Sequence, residues 1–196
     1  MHISKIKKVL FANILLPFDL IRSMLSRPRI REHSGTATPE TSSLYSIKVE
    51  TLEGKPLELS KFAGRKMLIV NVASKCGKTP QYSSLQKIQE EMSDRVQVLA
   101  FPSGDFGAQE FEHEDQIILF CQRQYHITFP VFGKTHVRGR MKNLLFKWLS
   151  DPAQNGWNNR QPVWNFTKYL VDENGFLLAF FPPAIDPLDK QIISLI

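Results

Sequence analysis

Residues 67–73 read Met-Leu-Ile-Val-Asn-Val-Ala and residues 96–101 read Val-Gln-Val-Leu-Ala-Phe. Neither run alternates apolar with polar residues as a half-exposed strand would, so both are expected as strands buried on both faces. Between them, Gln81–Met92 carries a helical pattern through Leu85 and Ile88. Thr79 is expected to cap that helix and Pro80 to occupy its first position. Strand, helix and strand over this length make a βαβ unit, whose two strands run parallel because the helix carries the chain back to its starting end.

The flanking elements complete an order. A short hairpin is expected over residues 46–55 around Gly54, and a second helix over about Glu114–Tyr125 with Ile117, Ile118, Phe120 and Cys121 on its apolar side. Lys168–Val171 and Phe176–Phe181 flank Glu173-Asn174-Gly175, a strong hairpin signal, and Leu188–Ile196 reads as a closing helix. A parallel βαβ unit followed by an antiparallel hairpin and a helix is the thioredoxin-like order. The expected class is therefore α/β: a central mixed sheet flanked by helices, with an N-terminal hairpin.

Charge divides the chain. The net charge is +6, but residues 1–43 hold seven basic residues against three acids, so the remainder is only mildly basic. A nucleic-acid partner is not implied when the surplus sits in a leader. Val9–Phe18 is apolar between Lys5, Lys7, Lys8 and Arg22, yet too short to span a membrane, and Pro17 interrupts it. Residues 1–43 are read as a leader for targeting or peripheral membrane contact, ending in a small polar linker at 34–43. A disordered tail on a cytoplasmic protein is the plainer alternative. The folded domain is expected over 44–196.

Cys76 falls between the first buried strand and the helix that follows it. The positive end of that helix and the neighbouring Lys75 and Lys78 are surroundings in which a thiol is reactive, although cysteine is often merely packed. Two familiar readings of the segment fail. Ser74–Thr79 ends like a phosphate-binding loop, but the glycine that such a loop requires at position 72 is Val72. Dithiol exchange within one loop needs Cys-x-x-Cys, and three residues after Cys76 stands Thr79.

Asn71–Thr79 (NVASKCGKT), Phe101–Glu110 (FPSGDFGAQE), Phe129–Phe132 (FPVF) and Trp164–Lys168 (WNFTK) resemble, in order, the signature segments of the glutathione peroxidases. The likeness runs from about Ser43 to the C-terminus. It implies a thioredoxin-like fold and reduction of hydrogen peroxide or organic and lipid hydroperoxides. It also implies Cys76 as the peroxidatic residue, with Gln109, Trp164 and Asn165 beside it. The residue types suit that chemistry, because an attacking sulfur and a departing oxygen need neutral N–H donors that do not themselves titrate.

Cys121, in Phe120–Phe129 (FCQRQYHITF), resembles the resolving cysteine of the thioredoxin-using branch. A buried helix cysteine is the alternative, and pairing with Cys76 would require that helix to unwind locally. The resemblance implies no cofactor beyond an external thiol reductant, thioredoxin or glutathione. Where the family has Phe-Pro-Cys-Asn-Gln-Phe, this chain has Ser103, Gly104 and Asp105 between Pro102 and Phe106; an inward-pointing Asp105 would oppose a thiolate.

Lys134, His136, Arg138, Arg140 and Lys142 form a basic run. It reads either as a solvated loop or, with Lys78, as a seat for an anionic substrate or reductant. The five histidines show no ligand spacing, so no metal site is expected. The reading is a monomeric or weakly associating thiol peroxidase. A redox sensor passing its oxidation to one partner, or a catalytically weak membrane-associated homologue, are the rivals.

Overall fold

The computed structural model describes residues 27–30 and 42–196. The strands are β1 (Arg29–Ile30), β2 (Lys48–Glu50), β3 (Pro56–Glu58), β4 (Lys66–Val72), β5 (Val96–Pro102), β6 (Lys168–Val171) and β7 (Leu177–Phe181). The helices are α1 (Ser42–Tyr45), α2 (Gln81–Met92), α3 (Glu114–Tyr125), α4 (Leu144–Leu149), α5 (Pro152–Asn155) and α6 (Lys190–Ile193).

The main sheet has the order β1-β7-β6-β4-β5, and β2 with β3 forms the separate N-terminal hairpin. β4 runs parallel to β5, with Ile69 opposite Leu99, and antiparallel to β6, with Ile69 opposite Tyr169. This is the expected thioredoxin-like arrangement, with α2 packed against β5 and α3. Every residue of β5 and all of β4 after Lys66 are buried. That accounts for the nearly continuous apolar runs, interrupted only by Asn71 and Gln97, each fully buried aliphatic side chain contributing roughly 1.5–3 kcal/mol. The outer edge of β5 is covered rather than open: Ala100 donates to the Pro130 carbonyl at 3.0 Å and accepts from Phe132 N at 2.9 Å. Phe132 is also stacked on Phe101, with ring centres 4.6 Å apart.

The Glu173–Gly175 turn follows its sequence. Asp172 Oδ1 accepts from Asn174 N at 3.0 Å and Phe176 N at 2.8 Å, and Gly175 takes the left-handed conformation, φ 86°.

Three expectations change. Thr79 does not cap α2, which begins at Gln81 after Pro80 with no side-chain cap, because the Thr79 hydroxyl is engaged in the loop before it. The closing helix shortens to Lys190–Ile193, because Asp189 caps it by accepting from Gln191 N at 2.9 Å. In the segment read as a leader, Arg29 and Ile30 pair with Phe180 and Ala179 on the outer edge of β7. Arg29 lies over the Trp157 ring at 5.5 Å and donates to Asn159 at 3.2 Å. Residues 1–26 and 31–41, with most of the leader and linker, lie outside the described residues. Among the described residues no helix is long and apolar enough to cross a membrane.

Candidate active site

Asn71 is the one polar residue in the apolar run of β4, and its fully buried amide explains why. Its Nδ2 donates to the Trp164 carbonyl at 3.2 Å, its Oδ1 accepts from Thr167 N at 3.1 Å, and its backbone carbonyl accepts from Phe166 N at 2.6 Å. These bonds fasten the Trp164–Thr167 segment to the C-terminal end of β4. Phe166 holds φ at 65°, a left-handed conformation that a bulky residue adopts only when its surroundings enforce it.

The chain after β4 is tied into a tight loop around Cys76, whose residue is 8% exposed and whose thiol is free. The Thr79 hydroxyl accepts from Cys76 N at 3.0 Å and donates to the Ala73 carbonyl at 2.8 Å, bracketing both sides of the cysteine. Lys78 N donates to Cys76 Sγ at 3.4 Å. Lys75 directs its ammonium over the Phe111 ring at 4.1 Å, and its N–H donates to the Gln109 carbonyl at 2.8 Å.

That last bond joins the Cys76 loop to Gln109. Gly107 and Ala108, at φ 66° and 51°, turn the chain sharply just before it. Asn165 Nδ2 then donates to Gln109 Oε1 at 3.1 Å. Asn165 is fully buried and its Oδ1 lacks a partner. Trp164, 8% exposed, packs on Phe106 with ring centres 5.4 Å apart. The expected residues Cys76, Gln109, Trp164 and Asn165 are thus joined through short bonds at one end of β4. Asn165-Phe166-Thr167 has the form of an N-glycosylation sequence, but Asn165 is fully buried, which is incompatible with a glycan there.

Asp105 does not oppose a thiolate from inside. Its carboxylate accepts from Val137 N at 2.7 Å and Arg138 N at 3.2 Å and meets His136 Nδ1 at 2.7 Å, so it anchors the basic loop. Arg138 lies over Phe106 at 5.0 Å, which places this loop against the ring that backs Trp164. Lys134 and Arg140 are exposed, whereas Lys142 donates to Ser150 Oγ at 2.8 Å.

Cys121 stands apart, on α3 and only 3% exposed. Burial pushes its thiol up to about 11; the Tyr82 hydroxyl beside it works the other way, and the charge of Glu110 adds to the rise. On α3 only Ile117 and Cys121 are fully buried, while Ile118 and Phe120 are half-buried and Leu119 is exposed. The Phe120 ring meets Phe111, Tyr82 and Tyr125 at 5.6–6.4 Å. Sequence reasoning did not single out Glu110, whose Oε1 accepts from Ser74 N at 3.2 Å and Phe111 N at 2.8 Å. An acid beside Gln109 is an ordinary surface residue until its partner 36 positions away is known.

The glutathione peroxidase family profile matches residues 44–150. The chain is 38% identical over 157 residues to a glutathione peroxidase homolog of Bacillus subtilis, covering 79% of this chain and 98% of that one. It belongs to the glutathione peroxidase family. A glutathione peroxidase-like peroxiredoxin of Chlamydomonas reinhardtii is 39% identical over 81% of this chain and 99% of its own length. Among solved structures, the one described as Trgpx in apo form aligns with TM-score 0.58 and 32% identity, over 81% of this chain and 95% of that chain. As a glutathione peroxidase family member the protein is a thiol peroxidase, an oxidoreductase acting on peroxide. Among the described residues no cluster of three or more His, Cys, Asp or Glu is placed to hold a metal.

Proposed function

We propose that Cys76 is the nucleophile of this peroxidase and that Cys121 resolves it. The Cys76 thiolate attacks one peroxide oxygen, the O–O bond breaks with its electron pair on the other oxygen, and that oxygen takes up the proton released when the thiol ionised and leaves as water or alcohol. Cys76 is left as a sulfenic acid. Gln109, Trp164 and Asn165 offer amide and indole N–H groups for the developing charge and require no proton transfer of their own. The observation that carries this reading is the chain of bonds from the Cys76 loop through Gln109 to Asn165. Cys121 then condenses with the sulfenic acid, water leaves, and a dithiol reductant of the thioredoxin type restores both thiols.

Mass spectrometry of the reduced protein after one equivalent of hydroperoxide, repeated with Cys121→Ser, tests both assignments. The wild type is expected to yield a Cys76–Cys121 linked peptide, and the variant to stop at an oxygenated Cys76. Oxygenated Cys76 that never links would remove Cys121 from the cycle and make an external thiol such as glutathione the direct reductant. An unreacted Cys76 would favour the weak-homologue reading, and a mixed disulfide with a single protein the sensor.

The basic loop gives the substrate side a second element. From Gly133 to Ser150 the chain carries five Lys and Arg residues and no acid. Within that stretch Met141 is 75% and Leu144 62% exposed. Cations around exposed apolar side chains suit peripheral contact with an anionic lipid surface, which would bring lipid hydroperoxides to the site through Lys134, Arg138 and Arg140. Vesicles containing phosphatidylglycerol should sediment the protein, neutral vesicles should not, and Arg140→Glu with Met141→Asp should abolish the difference; equal sedimentation with both vesicle types would discard this element.

A further inference from the structure

The Asp105 side chain is only 12% exposed, and its carboxylate is bonded to a single loop. Oδ2 accepts from Val137 N at 2.7 Å and Arg138 N at 3.2 Å, and Oδ1 meets His136 Nδ1 at 2.7 Å. Asp105 N donates to Ser103 Oγ at 3.3 Å, and Thr135 N donates to the Pro102 carbonyl at 2.9 Å. Residues 135–138 of the basic loop are thereby bound to residues 102–105, with Val137 fully buried between them. Two cations arrive with the loop. The Lys134 stem lies against Gly104, where a Cβ would stand 3.5 Å from Lys134 Cε, and the Arg138 guanidinium lies 5.0 Å over the Phe106 ring. Phe106 packs on Trp164 with ring centres 5.4 Å apart, so Arg138 is two ring contacts from the tryptophan that precedes Asn165.

We propose that Asp105 is a specificity-determining positioning residue: by fixing residues 136–138 it seats Lys134 and Arg138 at the rim of the site, where they receive the carboxylate of an organic hydroperoxide. The inference rests on the reading of Cys76 as the peroxide-reducing residue. Asp105 itself touches no substrate and acts through the backbone of Val137 and Arg138. The Phe106–Trp164 ring pair separates the two cations from Asn165, so the favoured substrate carries its charge at the far end of an apolar chain from its peroxide. A neutral ester of the same chain loses the ionic contact and keeps the rest.

The three residues that stand where the family has Cys-Asn-Gln all serve this arrangement. Ser103 Oγ receives the Asp105 N–H, Gly104 leaves room for the Lys134 stem, and Asp105 gathers the loop. A guanidinium holds a carboxylate in a fixed, two-pronged geometry, so its placement decides the contact. Asp105 is an anion, and its charge alone would repel a substrate carboxylate. Any gain it brings to such a substrate must come from where it puts the cations.

That opposition supplies the test. Rapid-quench mass spectrometry of Cys76 oxygenation compares linoleic acid hydroperoxide with its methyl ester, at a pH where the acid is ionised. Both are presented in the same neutral detergent micelles, which keeps an anionic lipid surface out of the comparison. The wild type should react about fivefold faster with the acid, the size expected of an ion pair at a wet rim. Asp105→Ala frees the loop and should bring the acid-to-ester ratio close to one. Asp105→Asn should hold the ratio, because its amide oxygen still accepts from Val137 N and Arg138 N. If Asp105 acted by its charge, both variants would raise the ratio; if it served stability alone, both substrates would slow alike and the ratio would stay. Either pattern, a wild-type ratio of one, or an asparagine variant no better than the alanine one would overturn the proposal. Arg138→Gln removes the guanidinium and leaves the backbone bonds of the loop, so it too should bring the ratio towards one. An unchanged ratio there would overturn the proposal even if D105A failed to fold. Cys76 left unreacted by both substrates would overturn the nucleophile reading first and this inference with it.

Discussion

The two cysteines are both free and both nearly buried, yet they are held in opposite ways. Around Cys76, Thr79, Lys78, Lys75 and Asn71 place a bond on nearly every side, linking the loop to β4, to Gln109 and to the Trp164–Thr167 segment. Around Cys121 there are ring contacts and a single helix face, with Leu119 44% exposed two residues away. A nucleophile that must meet a small peroxide in one geometry benefits from the first arrangement. A thiol that must leave its pocket to reach a partner benefits from the second. The difference between a bonded loop and a greased helix is what the proposed two-cysteine cycle would ask of one fold.

Amide exchange tests that contrast most strongly. We expect the amides of Gln116–Gln124 to exchange about a hundredfold faster than those of Tyr82–Ile88, equivalent to roughly 3 kcal/mol less opening free energy. Hydrogen-exchange mass spectrometry of the reduced protein measures this, and equal protection of α2 and α3 would break the comparison. Next in size is Asn165→Ala, which removes the bond to Gln109 Oε1 and one N–H donor. The second-order rate of Cys76 oxygenation should fall by about a hundredfold, with the rate of Cys76–Cys121 linkage from preformed sulfenic acid little changed. A loss confined to linkage would place Asn165 on the wrong side of the cycle.

Thr79→Val is the smaller test of the same loop. It keeps the shape but strands Cys76 N–H and the Ala73 carbonyl, a loss of about 2 kcal/mol in stability by denaturant unfolding. Unchanged stability would mean that the loop is held elsewhere.

How much of this could be read from the chain alone follows the range of the interactions. β4, β5, α2, α3 and the β6–β7 hairpin were legible because their signals are local: nearly continuous apolar runs, a helical period and a Glu-Asn-Gly turn. β1 was not, because two residues, Arg29 and Ile30, carry no period and are strand only by pairing with β7. Thr-Pro before a helical pattern reads as a helix cap at Thr79. Its actual partners, Cys76 N and Ala73 O, depend on a loop closure that no spacing rule describes. Of the candidate site, Cys76, Gln109, Trp164 and Asn165 are named by the resemblance alone. Asn71 and Glu110 are not, since each matters only through partners far along the chain.

Lys168 gives the last and mildest test. It is fully buried, its ammonium donates to the Ile185 carbonyl, and burial lowers it to about 7 despite the nearby charge of Asp186. In the unfolded chain it returns to about 10.4. Between those values the unfolded state binds the extra proton, so stability must rise as pH climbs from about 7, by up to about 1 kcal/mol per unit. The rise ends near pH 9, where Cys121 and the buried tyrosines Tyr82 and Tyr169, all raised by burial, begin to favour the unfolded state instead. Denaturant midpoints at pH 7, 8 and 9 measure the slope, and Lys168→Met should flatten it. A wild-type slope of zero or of the opposite sign would show that Lys168 keeps its proton through the bond to Ile185. The mixed pattern of rigid loop and opening helix would then owe nothing to this buried cation.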